Sequence, residues 1–308
     1  MKYSLLNKLT DLVGTNMAKF DIGSIVSDVQ KNFKGKEKLA SKVGSVGDLH
    51  ELTDADFIVL GPWWQDSTLT KGIPFGRLTT LAGSSDSGKT SVAIQAIKAA
   101  LEQGVGVIYC ETEQKTTEKD FTDWGVDPTQ VILISSNIAE EMYELVLQTW
   151  DSFREKYPDN PLLVVIDSIG NLISLRDEDI DMTEQSQKPG GQGKANRLGL
   201  SKLMAKMSSE EAKTAVILVS YTYDNIGSQG KTTAGGMALH LFSSLMYQTS
   251  RKGWLFKTVK GEKIKVGAEV IFSQQKNHIN KSAPGDYKIT FRITKDGIEY
   301  ISAKDADK

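Results

Sequence analysis

The stretch "LTTLAGSSDSGKTSVAIQAIKAALEQ", Leu78 to Gln103, decides the fold. It opens on a short apolar run, turns through Gly83, Ser84, Ser85, Asp86, Ser87, Gly88, Lys89 and Thr90, and continues from Ser91 with helical apolar spacing. The octet fits G-x-x-x-x-G-K-T in the strand, loop and helix context which that pattern requires. Glycines at 83 and 88 let backbone N–H groups wrap a chain of phosphates, and the N-terminus of the helix adds a favourable dipole. Lys89 is placed to reach β- and γ-phosphates, and the Thr90 hydroxyl to ligate Mg²⁺. The predicted nucleotide contacts therefore run from Gly83 through Ser91.

Outward from this loop, short apolar runs alternate with helical segments. The runs are "GVGVIYCE", "VILIS", "LLVVIDS" and "TAVILVSY"; the helical segments include Lys89 to Gln103, Ala139 to Lys156 and Leu198 to Ser208. Continuous apolar strands are expected where helices cover both faces of a parallel sheet. The apolar part of "LLVVIDS" runs into Asp167, where a second carboxylate acts on Mg²⁺. "VGVIYCETE" ends in Glu111 and Glu113, and either could orient or deprotonate an attacking water; strand alternation puts both on one side and does not choose. Beyond about Ala268, three runs separated by short turns predict an antiparallel meander that extends the sheet.

Length and composition fit this reading. At 308 residues, with 39% hydrophobic and 25% charged residues, the chain suits one main α/β domain with appendages. The expected division is residues 1–50, a helical arm and linker, and 51–308, the core. No apolar run approaches the roughly 20 residues needed to span a bilayer, and the N-terminus lacks the pattern of a secretory signal, so no membrane partner is expected. Cys110 stands alone, which excludes an intrachain disulfide and points to a reducing cytoplasm. A net charge of -2 makes any nucleic-acid surface a local one. Apolar positions from Leu5 to Phe33 are spaced as in amphipathic helices that pack on their own domain or on a neighbouring subunit.

Two long glycine-bearing segments interrupt the alternation, 175–194 and 222–236, and loops of that length inside a compact domain are usually functional or disordered. The second contains another Gly-Lys-Thr, at 230–232, but the pattern demands a glycine at 225, where Asn225 stands, and the preceding strand is expected to stop at Tyr221. A second phosphate loop is thereby excluded. A flexible segment whose backbone amides, Lys231, Thr232 and Thr233 contact phosphates of a single strand is the functional alternative. From Gln185 to Met207 the charged residues are Lys188, Lys194, Arg197, Lys202 and Lys206, with no carboxylate among them.

The order of these elements resembles the RecA family of ATP-dependent recombinases, including its shorter phage members. The resemblance covers about Arg77 to Phe291, and its most specific part is "TTAGGMALHLFSS", Thr232 to Ser244, which is similar to the segment that ends the family's second DNA-binding loop. It implies an α/β, RecA-like P-loop ATPase core with a mostly parallel central sheet, a C-terminal antiparallel extension and an N-terminal helical arm. ATP and Mg²⁺ are the implied cofactors. Single-stranded DNA, homologous duplex DNA and further copies in a helical filament are the implied partners, with a single-strand-binding protein or loader as an additional candidate, in the cytoplasm of a bacterial or phage-infected cell.

Residue by residue, the resemblance gives Lys89 and Thr90 the phosphate and magnesium roles, Asp167 a second magnesium role, and Glu113 rather than Glu111 the catalytic carboxylate. Lys276 and His278 stand at the spacing of a family pair that reaches ATP on the adjacent subunit. Tyr221 stands where a family glutamine senses the γ-phosphate, and Asp120 where an aromatic stacks on adenine. The first DNA loop corresponds to 175–197, with Lys188, Lys194 and Arg197; the second to 222–236, with Gly227, Lys231, Thr232, Thr233, Gly235 and Gly236. The chain ends soon after the meander, so no sizeable C-terminal domain is expected. A hexameric replicative helicase with the same core, or an ATP-sensing DNA-binding accessory protein, are the alternatives.

Overall fold

The computed structural model describes residues 21–36, 40, 42–46, 52–68, 70–179, 190–210, 212–224, 231–280, 288–295 and 297–301. The chain forms two compact units, Met1–Leu52 and Thr53–Lys308. The described part of the first is built on helix α1, Ile22–Asn32, which Asp21 caps by accepting the Ser24 N–H at 3.0 Å. No residue of α1 is buried, and Ile22 and Ile25 stay exposed. The expected helical positions before residue 21 lie outside the described residues.

The second unit begins with a small antiparallel pair, β1 (Phe57–Val59) and β2 (Gly72–Pro74), joined through helix α2, Pro62–Thr68. Next comes the alternation of strands and helices: β3 (Leu78–Gly83), α3 (Lys89–Glu102), β4 (Gly106–Glu111), β5 (Val131–Ser135), α4 (Ala139–Lys156), β6 (Leu162–Asp167), α5 (Gln192–Ser209) and β7 (Thr214–Asp224). After β8 (Lys231–Thr233) and α6 (Met237–Phe242) come β9 (Ser243–Val259), β10 (Glu262–Asn277), β11 (Lys288–Thr294) and β12 (Gly297–Ile301). The main sheet has the order β12-β11-β10-β9-β3-β7-β6-β4-β5. It is parallel from β9 through β5 and antiparallel from β9 outward to β12.

Why the central strands are continuously apolar is visible along β6 and β7. Leu163, Val165, Ile217 and Val219 pack on one face with Val92, Ala96 and Ile97 of α3. Their neighbours Leu162, Val164, Ile166, Val216 and Leu218 pack on the other with Met142, Val146 and Trp150 of α4 and Leu200 and Leu203 of α5. Each strand alternates as any strand does, but both faces are covered. On the second face α4 and α5 approach closely at Gly199, where any Cβ would collide with the Tyr143 ring.

Three expectations are corrected. The helix placed at Leu198–Ser208 starts at Gln192, so part of the anticipated first loop is helical. β7 runs to Asp224 rather than stopping at Tyr221, and pairs with β8 through Thr222–Thr233, Tyr223–Thr232 and Asp224–Lys231. The second segment is thus rooted in a hairpin instead of being flexible throughout. The meander begins far earlier than Ala268, because β9 and β10 form a long hairpin turning at Lys260 and Gly261, both with positive φ.

Helices α4 and α5 are also joined by a polar cluster. Trp150 Nε1 and Arg154 Nε donate to Glu210 at 2.8 and 3.0 Å, and Lys206 Nζ lies 3.1 Å from its other oxygen. Burial alone would raise the Glu210 carboxyl; the bonds from Arg154, Trp150 and Lys206 outweigh it and hold the group below the usual carboxylate range. Glu210→Gln is expected to cost about 2 kcal/mol near neutral pH. A carboxylate with a depressed folded pKa stabilises fully above its unfolded pKa and loses that contribution as pH falls through the folded value. Urea unfolding of wild type and variant should therefore show a gap at pH 7 that closes in acid.

Candidate functional site

The carboxyl edge of β3 is crowded before any ligand is considered. Gly83 lies between Tyr221 of β7 and Thr249 of β9, and a Cβ there would run into Thr249 and the Ser87 hydroxyl. Ser87, fully buried, donates to the Ser84 carbonyl at 2.7 Å and shares a 2.6 Å hydrogen bond with the Thr249 hydroxyl. Gly88 has a φ of 83° and leads directly into α3. Its neighbour Asp86 pairs with Arg251 of β9 at 3.4 Å. The turn is thus pinned to the sheet on its β9 side, with its other side open to a cavity of about 740 Å³ lined by Ser85 through Ser91.

The opposite wall of the cavity carries acid groups from β4 and β6. Thr90 donates to Asp167 at 2.7 Å, and Tyr109 approaches the same oxygen at 3.4 Å. Burial pushes the Asp167 carboxyl up to about 6, against the Thr90 hydrogen bond and the Lys89 charge, which favour its ionised form. Burial likewise draws the Lys89 ammonium down, opposed by Asp167, Glu113 and Asp86, while its Nζ donates to the Ser84 carbonyl at 2.7 Å.

The two glutamates separate clearly. β4 ends at Glu111, so strand alternation does not extend to Glu113 as assumed from the sequence. The buried Glu111 carboxylate accepts the backbone N–H groups of Glu113, Gln114 and Lys115 at 3.2, 2.5 and 3.0 Å, which makes it the brace of a turn. Glu113 lines the cavity as Glu111 does, accepting from Ser168 Oγ at 3.2 Å and from Asn171 Nδ2, and is paired with Lys115.

Away from the phosphate loop the cavity is lined by Ile94, Thr116, Asp120 and Trp124. Asp120 accepts from the Thr117 backbone and hydroxyl, each at 2.7 Å, and so caps the short helix Glu118–Thr122. Trp124 is an aromatic ring of the cavity lining near Asp120. It went unread in the sequence, although a tryptophan four residues from the matched position was its signal.

Tyr221 lines the same cavity and is joined to the second glycine segment. Its carbonyl accepts the Ala234 N–H at 2.9 Å, and the Ser220 hydroxyl donates to the Ala234 carbonyl at 2.7 Å. Gly170 leaves room for the Tyr221 ring, which a Cβ would meet at 2.6 Å. Gly235 and Gly236 take φ values of 92° and 88°, and a Cβ on Gly235 would lie 2.9 Å from Leu239. This explains why two glycines stand before α6. Thr232 and Thr233 are half-buried in β8, and Lys231 begins that strand.

The first segment is docked beside it. Asp177 accepts the N–H groups of Gly190, Gly191 and Gln192 at 3.0, 2.8 and 3.3 Å, and Gln192 Nε2 donates to the Gly170 and Leu172 carbonyls at 2.8 and 2.6 Å. Lys194 and Arg197 sit exposed on the opening turns of α5 rather than on a loop. Between the segments, the buried Asn196 accepts from Tyr143 at 3.2 Å and donates to the Gly235 carbonyl at 3.4 Å. Lys188 and Gly227 lie outside the described residues, as does Asn225.

Lys276 and His278 are not brought to this cavity. Lys276 pairs with Met246, level with Thr80, and donates to the His240 carbonyl at 2.6 Å. His278 donates its backbone N–H to Ser244 at 2.9 Å. Both sit two strands from β3 and towards its amino edge, out of reach of their own phosphate loop. Cys110 is buried, which pushes its thiol up and leaves it inert.

Comparison with known proteins agrees with this architecture. The RecA N-terminal domain family matches residues 22–294. The chain is 27% identical over 265 residues to Protein RecA of Malacoplasma penetrans, covering 84% of this chain and 72% of that protein. It is 29% identical over 225 residues to Protein RecA of Fusobacterium nucleatum, covering 72% and 55%, and 30% identical over 234 residues to Protein RecA of Mesoplasma florum, covering 75% and 65%. It thus spans between about half and three quarters of the length of these relatives. With the phosphate loop, the acid groups facing it and the glycine pair before α6 all in one sheet edge, the chain belongs to the RecA family.

Proposed function

We propose that this chain is an ATP-dependent DNA recombinase, which assembles as a helical filament on single-stranded DNA and promotes homologous pairing and strand exchange with duplex DNA in recombination and repair. The observation that carries this reading is the double engagement of Tyr221, which lines the phosphate-loop cavity and holds Ala234 of the second DNA segment by its carbonyl. Anything that shifts Tyr221 at the nucleotide is passed to Thr232, Thr233, Gly235 and Gly236, and through Asn196 to Lys194 and Arg197.

The donor set suits ATP with Mg²⁺. Thr90 and Asp167 present adjacent hard oxygens, and among the described residues no cluster of three or more His, Cys, Asp or Glu forms a closed cage. Mg²⁺ held by one carboxylate, a hydroxyl and substrate phosphates needs no such cage. When bound, the ion supplies charge neutralisation at the phosphates. Lys89 binds the phosphate chain, and the backbone from Gly83 to Ser91 cradles it. Glu113, held by Ser168 and Asn171, orients the attacking water and accepts its proton. Trp124 walls the base, in place of the family's aromatic at the Asp120 position.

Lys276 and His278 act on the nucleotide of an adjacent copy, since they cannot reach their own, so hydrolysis depends on assembly. The N-terminal arm with α1 provides a subunit contact. Among the described residues no helix is long and apolar enough to cross a membrane, and a cytoplasmic site of action suits a DNA substrate; a single-strand-binding protein or loader is a further candidate partner. The helicase and accessory-protein alternatives are not favoured, because the RecA family match includes the glycine-pair segment that they do not require.

Three outcomes test this reading. Negative-stain images with ATP and single-stranded DNA should show helical filaments, and rings alone would refute the recombinase. Glu113→Gln should slow ATP turnover by about 10² to 10⁴-fold while leaving nucleotide binding intact; phosphate release and a filter-binding assay separate the two, and full turnover would remove Glu113 from the chemistry. Trp124→Ala should weaken ADP binding about tenfold yet leave competition by inorganic tripolyphosphate unchanged, whereas an equal loss for both ligands would deny Trp124 a role at the base.

A further inference from the structure

The turn that Glu111 braces carries two charged side chains to the nucleotide cavity. Its carboxylate accepts three successive backbone N–H groups, from Glu113, Gln114 and Lys115, and Gln114 takes a positive φ of 53°. A backbone fixed at three consecutive residues leaves their side chains little choice of direction. Glu113 and Lys115 line the phosphate-loop cavity, whereas Gln114 lines a separate one with Phe121 and Leu133.

The two oxygens of Glu113 are used differently. Oε1 accepts from Ser168 Oγ at 3.2 Å and from Asn171 Nδ2, both on the segment that follows β6. Oε2 is bonded to Lys115 Nζ. The ammonium thus sits on the one oxygen that neither Ser168 nor Asn171 holds, which is the oxygen an attacking water would use.

Little keeps the ammonium there. The Lys115 side chain is 77% exposed, against 26% for Glu113, and exposed pairs of this kind are weak. Lys89 and Lys115 are the cations among the described residues that line the cavity, and Lys89 Nζ rests on the Ser84 carbonyl at 2.7 Å. A triphosphate entering beside them brings several negative charges against the single charge of Glu113. Coulomb attraction therefore favours transfer of the Lys115 ammonium to the phosphate.

We infer that Lys115 is a catalytic residue of ATP hydrolysis: bound triphosphate draws its ammonium from Glu113 onto the γ-phosphate, which uncovers Oε2 for the attacking water. The inference rests on the proposed function for the reaction itself. The water oxygen bonds to the γ-phosphorus as the bond from that phosphorus to the β–γ bridging oxygen breaks, and the electron pair leaves on ADP. The water's proton passes to Glu113, and Lys115 stays protonated throughout. Charge spread over the γ-phosphoryl oxygens then meets a donor placed beside it. Until phosphate arrives, the same pair keeps the base covered.

The test compares the full chain and its Lys115 variants with ATP and oligothymidylate. Lys115→Ala should lower kcat about 10²-fold, the low end for one donor aimed at developing charge, with the KM for ATP little changed. Its affinity for ADP with aluminium fluoride, a mimic of the transferring phosphoryl group, should fall by a similar factor while that for ADP alone holds. Lys115→Arg should keep most of both. Turnover by Lys115→Ala at the wild-type rate or faster reduces the lysine to a cover on Glu113 and overturns this inference alone. Equal losses for ADP and its aluminium fluoride complex overturn it in favour of a structural role. A wild type without ATP turnover on DNA overturns the proposed function as well.

Discussion

The absence of room for a side chain at Gly83 governs the rest of the molecule. β3 is hydrogen-bonded on both sides, by β7 and by β9, and the chain leaves it through a turn that lies against Thr249. A turn that tight aims its backbone N–H groups and the start of α3 into one cavity. The Ser87–Thr249 hydrogen bond and the Asp86–Arg251 pair then join that turn to β9. The outer half of β9, and the ribbon it forms with β10, is consequently attached at its base to the nucleotide loop.

The same edge collects the other functional groups for a topological reason. In a parallel sheet the strand ends of β4, β6 and β7 all emerge beside the end of β3, and ligands bind outside such ends. Glu113 just beyond β4, Asp167 at the end of β6 and Tyr221 in β7 meet only there. The neighbouring glycine segments are held to this edge by part-buried hydrogen bonds from Gln192 to Gly170 and Leu172 on one side and a buried one from Asn196 to Gly235 on the other. Buried polar groups with few alternatives favour discrete arrangements over gradual ones.

Legibility in the sequence tracked the range of the interactions involved. The phosphate loop, the run into Asp167 and the span of α4 were readable because each is set by residues adjacent in the chain. Glu111 and Glu113 were not separable, since alternation applies only while a strand lasts, and β4 stops at Glu111. The ribbon was missed for a related reason: without layers covering it, it carries no apolar periodicity, although Lys260-Gly261 is a legible two-residue hairpin turn. Trp124 was passed over because a short helix, capped by Asp120, moves the aromatic surface four positions along.

From sequence alone came the α/β class, the phosphate loop with Lys89 and Thr90, the carboxylate Asp167 at the end of its strand and the glycine-pair signature. These stem from local backbone requirements that only certain residues meet, such as positive φ at Gly88, Gly235 and Gly236. Only the tertiary structure decided that Glu111 braces a turn while Glu113 is held by Ser168 and Asn171, and that Tyr221 reaches both the cavity and Ala234. It likewise decided that Lys276 and His278 lie away from their own phosphate loop. Each of these depends on which strand ends beside which, a pairing between distant residues that no local pattern encodes.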